Sequence, residues 1–366
     1  MNVLHVITGR GPTGPAAAAM TDVKALRVSG HTAFIASRHG SGLMLACEEE
    51  GVPYVSGLKL GRGAMRLLNL PFDVRQLRGI VRDLGIDIVH VHRSDDQLLA
   101  AAAMGRKLSA RLVRTWHRDP QAVPGPFRTR LARQSDGNIC VSREHAAALK
   151  ASGAEKAEYV PVAIDSDTFV PPAERHSDAI VRIGHVGRWK RERDGRDRGQ
   201  RAALDVFAQL PRSGKWKGLL IGRGEMEGEL RREAYEVRRL PAAQVELVKL
   251  EKQAPREFAR MLGSLQLGLV FTTGSDGTSR AAAEMLACGV PLLVADVPGL
   301  RELAEDPTCG LRQLSGDPRG WAAAIEKLMA EPQKLLAMSD AARKRAESIH
   351  SLRARGGALA AFYADL

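Results

Sequence analysis

Short apolar, β-branched runs alternate with stretches of helical spacing through the first half of the chain, at Val3–Thr8, Thr32–Ser37, Ile86–His90, Arg111–Thr115 and Gly137–Val141. That rhythm predicts parallel strands with helices covering both faces of the sheet. It breaks at a polar, proline-bearing stretch from Asp165 to Asp178 and then restarts, with strands expected at Val181–Val186, Lys217–Ile221, Val245–Leu247, Leu267–Phe271 and Pro291–Ala295. After about Asp317 the pattern is only helical, with a Lys/Arg-rich stretch from Lys334 to Arg355. The fold class that follows is α/β, with two Rossmann-like, doubly wound parallel-sheet domains in tandem. Expected bounds are 1–164 for the N-terminal domain, 165–178 for a linker, 179–349 for the C-terminal domain and 350–366 for a last helix packing back on the first domain. Ligands of open parallel sheets settle at the carboxyl ends of strands, where loops and helix N-termini present N–H groups. Two such sheets facing across a cleft would suit a ligand with phosphate in its middle.

Bulk properties narrow the reading. At 366 residues the chain is long for one core and ordinary for two. No run approaches the roughly 18 apolar residues of a membrane span, and Val3–Thr8 lacks a basic leader, so it is expected to be a first strand and not a signal peptide. Cys47, Cys140, Cys288 and Cys309 are scattered without C-x-x-C pairing, which signals neither zinc nor disulfides and fits a reducing cytoplasm. A formal charge of +12 favours acidic partners: nucleic acid, anionic lipid or phosphorylated small molecules. Aromatic residues make up only 4% and none interleaves with the basic runs, which argues against nucleic acid.

The most informative segment runs from Ser275 to Pro291, after the strand ending at Phe271. Asp276 stands at the opening of a helix, Gly277, Thr278 and Ser279 lie in its first turn, and Glu284 follows further along. Open N–H groups there attract phosphate, and two separated acids can each accept sugar hydroxyl hydrogen bonds. By themselves the same residues equally describe a capped, solvated helix. The segment resembles the paired-acid signature of the retaining GT-B glycosyltransferases of family 4 (group 1), in which an acid is followed after seven residues by Glu and then by a small-residue helix ending in Gly-Val-Pro. The resemblance implies a GT-B fold, a ribose-binding role for Glu284, and a grip by Asp276 and the N–H groups after Gly277 on the transferred sugar. Asp276 stands where the family usually carries Glu.

Further matches follow the same family. Val186-Gly187-Arg188 ends the first strand of the second sheet, and Arg198-Gly199 resembles the Lys-Gly at the start of a helix. Arg188 and a second cation, Arg198 or Lys190, would neutralise the donor pyrophosphate. Gly222-Arg223-Gly224 resembles the family's Gly-x-Gly turn. A dinucleotide fingerprint would instead need the first strand of a domain, so NAD is not expected. Gly9 to Gly14, with Gly11 and Gly14, occupies the place of the loop that approaches donor phosphate and acceptor, although Pro12 and Pro15 depart from the pattern. His117 in Thr115-Trp116-His117 matches the Thr-x-His whose histidine faces the transferred sugar.

His90 and His92 alternate onto one face, but no third ligand pattern accompanies them, so packing or hydroxyl binding is expected and no metal. Asp165-Ser166-Asp167 has the spacing of metal-dependent transferases of another fold, but it lies in what resembles the interdomain segment. Leu60 to Leu84 mixes Arg62, Arg66, Arg75, Arg78 and Arg82 with apolar residues; docking on anionic membrane and plain helix-on-sheet packing explain it equally.

The resemblance therefore implies a retaining nucleotide-diphosphate-sugar transferase acting on a hydroxyl acceptor, lipid-linked in many relatives, in cell-envelope polysaccharide or glycolipid synthesis. No cofactor or metal is expected, and the place of work is the cytoplasm or the inner face of the plasma membrane. The alternatives are a nucleotide-sugar epimerase on the same fold, and a non-catalytic nucleotide-sugar or nucleic-acid binder.

Overall fold

In a computed structural model of the chain, residues 1–9, 11, 14–59, 64–105, 109–123, 125–173, 180–191, 195, 197–251, 254–271 and 276–366 are described, with 64–67, 122 and 276–279 as backbone only. The chain divides into two compact units, Met1–Ala163 with Ser351–Leu366, and Ile164–His350.

The N-terminal unit runs β1 (Asn2–Ile7), α1 (Gly14–Val28), β2 (Thr32–Arg38), α2 (Gly42–Glu49), β3 (Tyr54–Leu58), α3 (Ala64–Asp83), β4 (Ile88–Val91), α4 (Ser94–Met104), β5 (Arg111–Trp116), α5 (Gly125–Gln134), β6 (Gly137–Cys140), α6 (Arg143–Ala151) and β7 (Ala157–Tyr159). Its seven strands are parallel in the order β3-β2-β1-β4-β5-β6-β7. The C-terminal unit runs β8 (Val181–Val186), α7 (Gln200–Gln209), β9 (Trp216–Gly222), α8 (Glu227–Arg232), β10 (Val245–Lys249), α9 (Pro255–Gly263), β11 (Leu267–Val270), α10 (Asp276–Ala287), β12 (Leu292–Ala295), β13 (Gly310–Gln313), α11 (Pro318–Ala330) and α12 (Pro332–Arg345). Its six parallel strands order as β10-β9-β8-β11-β12-β13. A last helix, α13 (Leu352–Ala364), belongs to the N-terminal unit.

In each sheet the first strand lies between the second and the fourth, so the direction of winding reverses beside β1 and beside β8. Those are the places where an open parallel sheet receives its ligand.

Side-chain alternation sorts β1 between two cores. Val3 and Ile7 join α1 and α13 on one face, and Leu4 and Val6 join residues of α3 and α4 on the other. Helix α13 is fixed to α1 by the buried ion pair Arg355–Asp22, at 2.9 and 3.0 Å. Arg355 also donates to the carbonyls of Val160 and Pro161, both at 2.9 Å. Gly356 has to be glycine there, because a Cβ would overlap the carbonyl of Ala25.

Three strands depart from the sequence reading. β3, β7 and β13 were not anticipated, and each is an edge of its sheet. α3 carries Leu77, Ile80 and Val81 into the core and leaves Arg75, Arg78 and Arg82 exposed, with Leu68 72% and Phe72 43% exposed. Arg62 lies outside the described residues, as does the side chain of Arg66.

Candidate active site

In the C-terminal unit, β8 ends at the winding reversal and the chain leaves the sheet through Gly187. The Gly187 N–H donates to the Ile221 carbonyl at 3.0 Å, one register step beyond the last β8–β9 pair. Arg188 and Lys190 are exposed while Trp189 between them is fully buried. The Trp189 N–H donates to the Arg223 carbonyl at 2.9 Å, and its own carbonyl accepts from Met226 at 3.1 Å. Gly222 and Gly224 accommodate this segment: a Cβ on Gly222 would overlap the Gly187 carbonyl and the Trp189 indole, and one on Gly224 would overlap the Trp189 carbonyl. Whatever these glycines offer a ligand, their bare backbone is already required by the fold. They let the Arg188–Lys190 segment lie flat against the exit of β9.

Gln200, the first residue of α7, ties the two basic loops together. Fully buried, it accepts from the Arg198 N–H at 2.7 Å and donates to the Arg188 carbonyl at 3.0 Å. Asp197 accepts from the Gly199 N–H at 2.7 Å, and Gly199 adopts φ 97° where a Cβ would press on Phe271 at the exit of β11. The ends of β8, β9 and β11 and the start of α7 are thus one assembly, with Arg188 and Lys190 at its surface and Arg198 half-buried.

Helix α10 begins at Asp276 after β11, and Gly277, Thr278 and Ser279 form its first turn. The side chains of these four residues are not described. Glu284 lies roughly two turns and about 12 Å further along. It is half-buried, and loss of solvent pushes its carboxyl up to about 7, with Arg280 pulling it back. A carboxylate held so reluctantly is poised to accept hydroxyl donors that restore what solvent no longer supplies.

The N-terminal unit presents its own reversal. Gly11 and Gly14 follow β1, and a Cβ on either would meet open space, so no packing demands glycine there; Arg10, Pro12 and Thr13 lie outside the described residues. The Thr8 N–H donates to Asp96 at 2.8 Å, and burial raises the Asp96 carboxyl to about 6. Arg114 is buried with its guanidinium over Trp116, donating to Gln97 and Ser94.

Alternation also places His5, His90, His92 and Thr115 on the face that looks toward α1 and α13, and β1–β4 pairing sets His5 directly opposite His90. His5 Nδ1 meets His92 Nε2 at 2.8 Å, and His92 Nδ1 meets His117 Nε2 at 3.0 Å. His90 bridges the Tyr363 hydroxyl and Thr115 Oγ1, each at 2.7 Å. Burial depresses His5 to about 4 and His90 and His92 well below the ordinary histidine range, so these three rings are neutral at pH 7.

Ligand atoms of His5, Asp22, His90 and His92 lie within 4.8 Å of one another. The set fits a cation poorly, because Arg355 already takes both carboxylate oxygens of Asp22 and both nitrogens of His90 and His92 have protein partners. Asp165 is likewise engaged within its own turn, accepting from the N–H groups of Asp167 and Thr168 and from Thr168 Oγ1. All four cysteines are free and buried, their thiols raised to between about 11 and about 12, which makes them poor metal ligands or nucleophiles.

His5 and Gln200 escaped the sequence reading. His5 shares the alternation of Val3 and Ile7, but only the adjacency of β1 and β4 brings it to His92. Gln200 reads as an ordinary first-turn residue until its two backbone partners are seen.

Two family models match the chain: Glycosyltransferase Family 4 over residues 14–168 and Glycosyl transferases group 1 over residues 181–331. The chain belongs to this family of glycosyltransferases, on a GT-B fold of two parallel-sheet units. Among curated relatives, the D-inositol 3-phosphate glycosyltransferase of Thermobispora bispora is 33% identical over 28% of this chain and 24% of its own. The protein of that name from Nocardiopsis dassonvillei is 29% identical over 60% of this chain and 53% of its own. The chain thus spans only a quarter to about half the length of these relatives. Over the whole chain the fold is shared with Anabaena HepE in complex with UDP and glucose (TM-score 0.77, 18% identity, 100% of both chains). It is shared too with a glycosyltransferase of Rickettsia africae (TM-score 0.79, 14% identity, 100% of this chain and 98% of that one).

Proposed function

We propose that the protein transfers a sugar from a nucleotide diphosphate donor to a hydroxyl acceptor with retention of configuration. The observation that supports this reading is the assembly at the β8 exit, where one buried glutamine fixes the backbone at Arg188 and at Arg198 and leaves Arg188 and Lys190 exposed, with Arg198 beside them. In this reading Arg188 and Arg198 take the pyrophosphate, Lys190 adds charge beside them, and Glu284 accepts from the ribose hydroxyls. Asp276, with the N–H groups of Gly277, Thr278 and Ser279, holds the sugar, and His117 faces it. Gly187, Gly222 and Gly224 give the diphosphate a bare backbone floor, and Gly11 and Gly14 serve donor phosphate or acceptor. Charge growing on the leaving diphosphate is met by fixed cations, so positioning and leaving-group electrostatics supply the rate, with the leaving phosphate taking the acceptor proton on the same face. No metal or cofactor enters this scheme.

The complexes of HepE with UDP, with UDP and glucose, and with UDP-glucose make UDP-sugars the first donors to try. The relatives' name makes a phosphorylated polyol the first soluble acceptor, which suits a chain of charge +12. The basic face of α3, with Leu68 and Phe72 exposed beside Arg75, Arg78 and Arg82, supports the second acceptor reading, a lipid-linked acceptor at an anionic membrane. No helix among the described residues is long and apolar enough to cross a membrane.

Thermal stability against UDP-, GDP-, ADP- and CMP-sugars, in wild type and Glu284→Ala, tests the donor assignment. A ligand at a hundred times its Kd stabilises by about 2.7 kcal/mol, so one nucleotide class should raise the wild-type Tm by several degrees and leave the variant unmoved. No shift in either protein with any nucleotide sinks the assignment. Donor turnover without acceptor would favour the epimerase, and salt-sensitive oligonucleotide binding the nucleic-acid binder. Loss of vesicle binding at low salt in a variant lacking Arg75, Arg78 and Arg82 would place α3 on the membrane.

A further inference from the structure

Seven residues, Arg191 to Asp197, separate Lys190 from Arg198, and six of them are charged. A surface loop of that composition has no apolar side chain to bury, so polar contacts must fix where its ends lie. Those contacts converge on one carboxylate. Arg191, at the start of the loop, donates from Nη2 to Glu229 Oε1 of α8 at 2.5 Å and from Nη1 to the Gly195 carbonyl at 3.3 Å. Asp197, at its end, accepts from the Gly199 N–H at 2.7 Å and from Arg201 Nη1 at 3.4 Å. Arg201 in turn gives its Nη2 to the same Glu229 oxygen. Its Nε lies 3.5 Å from Glu233 in the wider turn that continues α8, so all three nitrogens of the guanidinium face carboxylates.

Glu229 is itself held in place. Met226, just before α8, donates its N–H to the Trp189 carbonyl at 3.1 Å, which docks the helix on the chain immediately before the loop begins. On the far side Arg238 holds Glu233 at 2.5 Å, and Arg238 and Arg201 together keep the Glu233 carboxyl below its usual range. A single surface ion pair does little, because solvent screens it and two long side chains must be ordered to make it. Here the three carboxylates around Arg201 have side chains only 10–28% exposed, and one ordered, planar guanidinium serves all three.

We propose that Glu229 and Arg201 are positioning residues that clip the two ends of the Arg191–Asp197 loop together and so hold Arg188 and Arg198 where a diphosphate needs them. The clip is a property of the ligand-free protein, and it rests on the transferase reading only for the diphosphate. With the clip open, the ligand itself has to order the loop, and affinity falls by what that ordering costs. Once the ligand is bound the loop is the same in either case, so the effect lies in binding and not in turnover.

Charge and position make opposite predictions for Glu229, an anion that by charge alone disfavours a diphosphate nearby. Titration calorimetry of the full chain with UDP separates them. Glu229→Gln adds one positive charge to the neighbourhood and Arg201→Gln removes one, while Arg201→Lys keeps the charge but exchanges the planar fork for a single ammonium. Through charge alone, these three variants would tighten, weaken and leave unchanged the binding of UDP. Through the clip, all three raise its Kd about tenfold, with donor KM rising in step and kcat within about threefold of wild type. Their Tm should fall by no more than a few degrees. In the ligand-free variants, hydrogen exchange should quicken about tenfold in the peptide containing Arg198 and Gly199 and keep the wild-type rate in the β9–β10 ladder. Tighter UDP binding by Glu229→Gln, unaltered binding by Arg201→Lys, or wild-type exchange of that peptide in a folded variant overturns the proposal. If the Arg201 variants do not fold, the nearly isosteric Glu229→Gln still decides. A wild type that binds no nucleotide removes the transferase reading, and the exchange rates then uphold or overturn the clip by themselves.

Discussion

Glu284 shows how a residue proposed to bind ligand can weaken the fold that carries it. Its carboxyl is raised from 4.5 to about 7, so its contribution favours the folded state most below pH 4.5 and is lost as pH rises through 7. Glu284→Gln should therefore be more stable than wild type at pH 8, by on the order of 2 kcal/mol after discounting for its partial exposure, with the difference vanishing near pH 4.5 in urea melts at both pH values. If nucleotide hydroxyls favour the carboxylate, binding should release a proton near pH 7, measurable as a buffer-dependent heat. Gln200 offers the converse case. Gln200→Leu keeps the volume and abandons two backbone groups, so donor KM should rise about tenfold while Tm falls by only a few degrees. Equal kcat/KM for wild type and variant would show that the Arg188 and Arg198 loops hold their places unaided. Glu284 could be read in the sequence because its spacing from Asp276 is a pattern. Gln200 and His5 could not, because what defines them is the identity of neighbours remote in sequence.

At the scale of elements, central strands such as Leu267–Val270 and Leu292–Ala295 were legible because parallel strands buried on both faces write themselves as continuous apolar runs. The edge strands β3 (Tyr54–Leu58) and β13 (Gly310–Gln313) are only half covered and carry serine, glycine, arginine or glutamine, so their sequences resemble loops. β7 spans just Ala157–Tyr159, too short to show any period. The attachment of α13 was equally hard to derive, since Arg355 and Asp22 are remote in sequence. Removing one partner of such a pair leaves the other buried and charged, at a cost of about 3–5 kcal/mol. Asp22→Asn and Arg355→Met should each lose about that much by denaturant unfolding, and the double variant should lose less than the sum. Gly356→Val should also destabilise the N-terminal unit, through overlap with the Ala25 carbonyl and Ser29 Oγ.

For the whole molecule, His5 in one unit and Glu284 in the other respond to acid in opposite senses. His5 and its buried neighbours are neutral when folded, so their contribution is present above pH 6.5 and lost as pH falls from there toward about 4. By pH 5 His5 alone accounts for about 2 kcal/mol of lost stability. Glu284 returns a similar amount to the C-terminal unit over the same change. From pH 7.5 to pH 5 the stability advantage of Glu284→Gln over wild type should shrink and that of His5→Phe over wild type should grow in urea melts, each comparison cancelling the other buried groups of its unit, Asp96 and His185 among them. Changes of the same sign would contradict the assignments. Charge and composition disclose none of this, since +12 says nothing about which groups are buried.

The chain enters the C-terminal unit at Ile164 and leaves it at His350, and the Ile164 N–H donates to the His350 carbonyl at 2.8 Å. The second unit is thus an insertion in the first, and the first is unfinished without Arg355, Leu359, Phe362 and Tyr363. On the ribosome this inverts the order of manufacture. The N-terminal unit begins before the C-terminal one and is completed after it, holding an unpaired Asp22 and an uncovered core face until Ser351–Leu366 emerges. A chain stopped at residue 350 should contain a folded C-terminal unit attached to an N-terminal one that proteases cut freely.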